Sequence, residues 1–172
     1  PSPRGPPRCA ESGAANGLYI AYVDARTGAL HIIRGDGQSD HTVGNVAGGS
    51  FGDSFWNGAT GRALARGLSW SPDGAYLAYL ATDAGDSSGA LSLRVVNTDG
   101  TGGRVIAHGT LTSSALWRGD GQMLAYLQSN QTSKSIWVVS LASGNTRQLA
   151  SQADAADANA SVTQLTWLTS AG

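Results

Sequence analysis

A glycine-rich loop contains the one serine of this 172-residue chain that matches a nucleophile pattern. Residues 48–52 read Gly-Gly-Ser-Phe-Gly and fit the G-x-S-x-G pattern of hydrolases. That chemistry requires a buried strand before the serine and a helix after it. Asp53 and Asn57 follow instead, with no helical periodicity. We therefore interpret the segment as a loop and assign no catalytic residue.

A second candidate for chemistry is the acidic group formed by Asp36 and Asp40 beside His41. Two carboxylates and an imidazole can bind a cation. The structural alternative is that Asp36-Gly37 forms a hairpin turn, Asp40 is solvated and His41 begins an outer strand. We favour this alternative and assign no metal ligand. The sequence also lacks a phosphate-binding loop and a dinucleotide fingerprint, so no cofactor is expected.

Composition and charge restrict the classes of partner. Charged residues make up 13% of the chain and the net charge is −1, which excludes the basic footprint of a nucleic-acid-binding protein. The single cysteine, Cys9, excludes an internal disulfide and a multi-cysteine zinc site. Cys9 is either a lipid-modified residue of an exported lipoprotein or an ordinary small residue, and we favour the second.

The N-terminal stretch 1–16 is rich in proline, with four of the five prolines in the first seven residues. Proline favours extended backbone, so we interpret this stretch as a tether to the domain at 17–172. The first residue is proline, which suggests a processed product or one piece of a longer protein. No apolar run approaches the roughly 18–20 residues that span a bilayer. Contact with a membrane is expected only indirectly, through a partner or an N-terminal anchor.

The elements that would position any site come from an internal repeat. Residues 68–80 recur as residues 115–127, with the tryptophan, the Asp-Gly pair and Leu-Ala-Tyr-Leu repeated after 47 residues. A weaker copy occupies 16–23, and 164–168 begins another. Each unit contains four short apolar runs separated by Asp-Gly, Asn-Gly or Ser-Gly turns, which is typical of antiparallel strands joined by hairpins.

Four such strands in about 45 residues form one blade of a β-propeller. The sequence therefore predicts an all-β, propeller-like array of about three four-stranded antiparallel blades, near 17–45, 66–108 and 113–150. An extra C-terminal strand is expected at 162–168. Blades bury their faces against one another, so Trp70, Trp117 and Trp167 are expected at the same core position of successive units.

The run Trp70-Ser71-Pro72-Asp73-Gly74, followed by Leu77-Ala78-Tyr79, resembles the repeat of the TolB-type β-propellers. The resemblance covers about 17–168; the Ser-Pro pair is replaced in the third unit, and Asn16-Gly17 stands for Asp-Gly in the first. It implies an exported protein that is either a protein-binding platform of the bacterial envelope or the gate domain of a serine peptidase.

The number of units departs from the family, because three blades do not close a propeller. Three arrangements remain open: the C-terminal strand closes back on the first unit, two chains complement each other, or the chain is part of a longer propeller. An open array exposes sheet edges and blade faces, so we expect a protein partner to cover them.

The longest connection, residues 46–66, is a candidate interaction element. It contains the aromatic residues Phe51, Phe55 and Trp56, followed by Arg62 and Arg66. Aromatic residues beside arginine are typical of binding hot spots. The alternative is that Phe55 and Trp56 fill a gap left by absent blades.

These observations favour a non-catalytic, extracytoplasmic propeller module that binds another protein, such as an extrinsic subunit of an envelope or membrane complex. The alternative is the propeller portion of a prolyl-oligopeptidase-like hydrolase whose catalytic domain is not in this chain. A lectin-like role is a third possibility.

Overall fold

The computed structural model describes residues 10–13, 17–24, 27–45, 56–57, 62–63, 68–82, 91–111, 115–129 and 133–151. Within these ranges the regular elements are all β-strands. They are β1 (Ala10–Gly13), β2 (Tyr19–Val23), β3 (Ala29–Arg34), β4 (His41–Asn45), β5 (Trp56–Asn57), β6 (Arg62–Ala63), β7 (Ser69–Trp70), β8 (Tyr76–Thr82), β9 (Leu91–Asn97), β10 (Arg104–Leu111), β11 (Leu116–Trp117), β12 (Met123–Ser129), β13 (Lys134–Ser140) and β14 (Thr146–Ser151).

The strands form three antiparallel units of four. Blade 1 consists of β1 to β4, blade 2 of β7 to β10 and blade 3 of β11 to β14, each with neighbouring strands paired in sequence order. A short pairing of β10 with β12 joins blades 2 and 3 into one eight-stranded sheet. The predicted fold class is therefore confirmed. The predicted strand at 162–168 and Trp167 lie outside the described residues.

Strand β1 corrects the interpretation of residues 1–16 as a tether. Residues 10–13 pair with β2, Ala10 opposite Val23 and Gly13 opposite Ile20, and thereby provide the inner strand of blade 1. Within residues 1–16 the last proline is Pro7, so the backbone N–H groups of residues 10–13 are available for a strand ladder. The sequence pattern does not predict this inner strand, because it lacks the tryptophan that marks its counterparts in blades 2 and 3.

The Asp-Gly pairs form the predicted turns between strands. In blades 2 and 3 the first turn has Gly74 at φ 70° and Gly121 at φ 69°, a region that glycine enters without a steric penalty. The N–H of Gly74 donates to the carbonyl of Ser71, and that of Gly121 to the carbonyl of Arg118. These turns lie at the same end of successive blades.

The core lies between the blades. One cluster joins blades 1 and 2 and the other joins blades 2 and 3, so blade 2 is covered on both faces. The first contains Ala21, Val23, Leu30, Ile32, Leu77, Tyr79, Ala81 and Val96. The second contains Ala78, Leu93, Val95, Leu111, Ala115, Trp117, Leu124, Tyr126, Val139 and Leu141.

The two described tryptophans of the repeat occupy matching positions. Trp70 pairs with Leu77, and Trp117 pairs with Leu124. Trp117 is buried, and its indole Nε1–H donates to the carbonyl of Ser69 on the inner strand of blade 2 at 2.9 Å. Trp70 packs, half-buried, against the cluster between blades 1 and 2. The repeat therefore places each indole at a junction with the preceding blade.

Among the residues that the structure describes, no helix is long and apolar enough to cross a membrane.

Replacing Trp117 with phenylalanine tests the junction between blades 2 and 3. The Trp117→Phe variant loses the bond to Ser69 and part of the packed volume, so we expect the free energy of unfolding to fall by about 2 kcal/mol. Urea denaturation followed by circular dichroism measures this change. The control, Val105→Ala, alters an exposed side chain and is expected to lose less than about 0.5 kcal/mol. Equal losses in the two variants would contradict the assigned junction.

Candidate protein-interaction surface

Equivalent strand registers make the three blades directly comparable. In the two central strands, Ile20 lies opposite Ile33, Leu77 opposite Val96, and Leu124 opposite Val139. Directly opposed residues of an antiparallel pair share a face of the sheet. These three pairs therefore mark the same face of each blade, the one that is turned towards the preceding blade.

That face is buried in blades 2 and 3 and partly exposed in blade 1. Leu77 and Leu124 are both 0% exposed, whereas Ile20 is 36% exposed. Leu18, just before β2, is 58% exposed. Blade 1 therefore presents the apolar positions of a blade junction with no described blade against them. We refer to this face, with Leu18, Ile20, Tyr22, His31 and Ile33, as the open face.

A polar network crosses the middle of the open face. The Tyr22 hydroxyl donates to Asp40 Oδ2 at 2.7 Å, and His31 Nδ1 lies 3.1 Å from Asp40 Oδ1. The Tyr22 and His31 rings stack with centroids 4.9 Å apart. The network holds the two rings against each other and gives the surface a specific polar pattern.

The two carboxylates and the imidazole considered for metal binding have separate partners. Asp36 Oδ1 accepts the Gln38 N–H in a turn, while Asp40 binds Tyr22 and His31. The His41 ring faces blade 2, with Nδ1 2.8 Å from the carbonyl of Ser39. The described part of the chain contains no group of three or more His, Cys, Asp or Glu side chains placed to hold a metal ion.

A serine and a histidine do meet in blade 2, but not as a catalytic pair open to substrate. Ser92 Oγ lies 3.0 Å from His108 Nδ1, across the pairing of β9 with β10. Ser92 is only 1% exposed. A nucleophile must reach the substrate, so the burial of Ser92 makes its hydroxyl a structural group.

A polar groove of ≈ 480 Å³ lies between the turns of blades 2 and 3. Its walls include the carboxylates of Asp73 and Asp120 and the guanidinium of Arg104. A hydrogen bond from the Ser71 hydroxyl, reinforced by the Ala75 N–H, holds the pKa of Asp73 below its usual value. Arg104 donates to the carbonyl of Leu141 at 2.8 Å. The bonds to Asp73 stabilise one turn of blade 2, and the Arg104 bond joins blade 2 to the turn of blade 3, so the groove is primarily part of the junction between the blades.

The predicted interaction residues of 46–66 are described only in part. The backbone of Trp56 pairs with Ala63, and that of Asn57 with Arg62, in the two-stranded sheet of β5 and β6. This places Trp56 and Arg62 on neighbouring strands of one hairpin. Phe51, Phe55 and Arg66 lie outside the described residues, as do the Gly-Gly-Ser-Phe-Gly loop at 48–52 and Cys9.

The sequence interpretation missed the open face. Its signal was present in the repeat, because the weak first copy places Ile20 and Tyr22 at the positions of Leu77 and Tyr79. Residues that are core in the inner blades become surface in the first blade. Asp40 is separated from its partners along the chain, so spacing alone could not show its contacts.

The fold and its surfaces define the chain as a β-propeller-type protein. The structure is similar to that of TolB from Acinetobacter baumannii, with a TM-score of 0.53 and 17% identity, covering 81% of this chain and 31% of that one. It is similar to the β-propeller domain of the Trilobed protease from Pyrococcus furiosus, with a TM-score of 0.54 and 12% identity, covering 82% and 43%. The tricorn protease gives a TM-score of 0.55 and 12% identity, covering 77% and 13%.

These similarities are at the level of the fold, and the chain spans less than half the length of each of these three structures. No protein-family model and no curated protein sequence matches it. The comparisons therefore support the resemblance to the TolB-type repeat at the level of the propeller fold.

Two glycines with the same backbone conformation test how closely blades 1 and 2 approach. Gly100 has φ 80° and Gly37 has φ 81°. A Cβ at Gly100 would lie 2.5 Å from His41 Cδ2, whereas a Cβ at Gly37 would meet nothing within 4 Å. Both alanine variants carry about 1 kcal/mol of backbone strain, and Gly100→Ala adds a clash of about 1–3 kcal/mol. Urea denaturation measures both, and equal losses would contradict the close approach.

The Ser71–Asp73 bond predicts a pH-dependent contribution to stability. The lowered pKa of Asp73 means that its carboxylate stabilises the folded state above the ordinary aspartate pKa of about 3.9. That contribution is lost as the pH falls through the pKa of Asp73 in the folded protein. At pH 7 we expect a coupling of about 0.5–1 kcal/mol between Ser71→Ala and Asp73→Ala in a double-mutant cycle. The coupling should decrease as the pH is lowered through the acid range in which Asp73 becomes protonated, and a coupling that does not depend on pH would contradict this assignment.

Proposed function

We propose that this chain is a non-catalytic β-propeller module that binds another protein through the open face of blade 1. The observation that carries the proposal is the difference between Ile20, which is 36% exposed, and its equivalents Leu77 and Leu124, which are 0% exposed. A sheet face with the apolar side chains of a blade junction is exposed to water here. When another protein surface covers it, the free energy of the system falls.

The form of the open face supports a protein as partner. It is one face of an antiparallel sheet, and small molecules instead prefer concave pockets. Tyr22 and His31 add flat aromatic area, while Asp40 keeps their polar atoms satisfied. Protein interfaces combine apolar residues with hydrogen-bonded polar groups in this way.

The hairpin of β5 and β6 supports a second contact region. It presents Trp56 and Arg62 on neighbouring strands, and both residue types are enriched at interface hot spots. Phe51, Phe55 and Arg66 belong to the same segment in sequence, so we propose that the whole segment 46–66 contributes to binding.

We place the module outside the cytoplasm, as an extrinsic subunit of a bacterial envelope or membrane complex. The support is the TolB-type repeat of the sequence, together with the fold shared with TolB from Acinetobacter baumannii. No nucleic acid is proposed as partner, since the net charge of the chain is −1.

A second candidate is the propeller portion of a hydrolase. Its support is the similarity to the tricorn protease and to the propeller domain of the Trilobed protease. The full-length gene product distinguishes the two proposals, because an adjoining α/β-hydrolase segment with its own serine, aspartate and histidine would favour the hydrolase.

The open face makes a direct prediction about binding. The immobilised Ile20→Glu variant should retain at least about tenfold less partner from an envelope extract than the wild-type protein retains. The substitution places a charge where the interface is buried, which weakens binding. The retained proteins are measured by quantitative mass spectrometry.

The matched control is Val105→Glu, which places the same charge at a residue that is 40% exposed on the outer strand of blade 2. This variant should retain the partner, and both variants should keep the circular dichroism spectrum of the wild type. Retention by Ile20→Glu at the wild-type level would refute the open face as the binding site.

A further inference from the structure

The face of blade 3 that is turned away from blade 2 is buried, although no described blade lies against it. In blade 2 the corresponding pair of central-strand residues, Ala78 with Val95, belongs to the core cluster shared with blade 3. The equivalent pair in blade 3 is Ala125 with Val138, at 6% and 3% exposure, and Leu127 beside it is 2% exposed. These three residues of blade 3 belong to neither core cluster. We refer to them as the far face.

The far face is covered by another part of the same chain, since apolar side chains at the centre of a sheet lose their exposure when other atoms exclude the solvent. The connection 130–132 within blade 3 has only three residues. The longer segments outside the described ranges at 46–55 and 83–90 follow strands of blades 1 and 2. The segment that follows blade 3 and is long enough to cross its sheet is 152–172.

The repeat supplies a side chain of this segment for the far face. Each described junction contains the tryptophan from the inner strand of the following blade, Trp70 between blades 1 and 2 and Trp117 between blades 2 and 3. Trp117 also donates its indole N–H to the carbonyl of Ser69, in the inner strand of the preceding blade. Trp167 is the next copy of this tryptophan, and the acceptor that corresponds to Ser69 is the carbonyl of Leu116.

The residue two positions before each tryptophan follows the same rule. Leu68 packs against the cluster between blades 1 and 2, and Ala115 belongs to the cluster between blades 2 and 3. Leu165 has this position before Trp167. Residues two apart on a strand lie on the same face, so Leu165 and Trp167 share the face that the earlier copies turn towards the preceding blade.

The open face of blade 1 is the other apolar end of the array, and burial distinguishes the two ends. The twelve residues 152–163 span up to about 40 Å when extended, so chain length permits either position. Leu18 and Ile20 of the open face are 58% and 36% exposed, whereas Leu127 of the far face is 2% exposed. Burial therefore favours the far face as the position of the C-terminal segment.

We propose that residues 162–168 form an inner strand that docks on the far face of blade 3, with Trp167 in the place that Trp117 takes on blade 2. The strand caps this apolar end of the array within the chain. The proposal is incompatible with closure of the C-terminal strand on blade 1, one of the arrangements that the sequence left open. It goes beyond the proposed function, and it leaves the open face of blade 1 as the end of the array available to a partner.

A double-mutant cycle locates the segment. Trp167→Ala is combined with Leu127→Ala on the far face and, separately, with Ile20→Ala on the open face. Urea denaturation of the full chain gives the unfolding equilibrium constant of each variant. Residues in contact couple and distant residues do not, so Trp167→Ala and Leu127→Ala should interact by at least about fivefold in this constant. The effects of Trp167→Ala and Ile20→Ala should multiply to within about twofold.

The control is Val105→Ala, which alters a residue that is 40% exposed on the outer strand of blade 2. It should not couple with Trp167→Ala. If Leu127→Ala does not fold in the absence of urea, Val138→Ala, at a far-face residue with 3% exposure, takes its place in the cycle.

Coupling of Trp167→Ala with Ile20→Ala would place the segment on blade 1 and overturn the inference. The absence of coupling with the far-face residue would overturn it as well. The binding test with Ile20→Glu is read separately, because it measures a partner at blade 1, whereas the cycle measures a contact at blade 3.

Discussion

Face-to-face burial of small antiparallel sheets is the interaction on which this structure depends. A four-stranded blade has two faces and too few residues to cover either, so its apolar side chains leave water only against another blade. Blade 2 is covered on both sides, and it contributes to both core clusters. The turns, bulges and interblade hydrogen bonds are arranged around these two contacts.

The repeat made the fold predictable, because hairpin turns and alternating apolar residues recur at a nearly fixed spacing. The repeat alone predicts equivalent positions for Trp70 and Trp117. The register of β7 with β8 and of β11 with β12 confirms this prediction. Strand β1 could not be found in this way, because its sequence, Ala-Glu-Ser-Gly, has no apolar pattern. Its place in the sheet follows from pairing with β2, which is a tertiary constraint.

The candidate surface was less predictable, since sequence shows which residues are apolar and not which blade lies at the end of an array. Ile20 has the same sequence context as Leu77, and only the absence of a described neighbour on that side distinguishes their exposure. The contacts of Asp40 with Tyr22 and His31 likewise depend on the curvature of the loop before β4. The aromatic segment 46–66 was identified by composition, which indicates a binding tendency without a geometry.

Polar contacts between neighbouring blades also make the array specific. The faces between the blades consist mainly of apolar residues, which tolerate replacements of similar volume, and the bond from the Trp117 indole to the carbonyl of Ser69 adds a polar contact between the inner strands of blades 2 and 3. The outer strand of blade 2 adds a polar contact to its junction, through Arg104 to the carbonyl of Leu141, whereas the His41 ring of blade 1 packs against Gly100 in the turn of blade 2. Polar contacts of this kind fix which turn lies beneath which strand, because a displaced register leaves a donor without its acceptor. The apolar faces therefore hold the blades together, while the Arg104–Leu141 and Trp117–Ser69 bonds fix the position of blade 3 on blade 2.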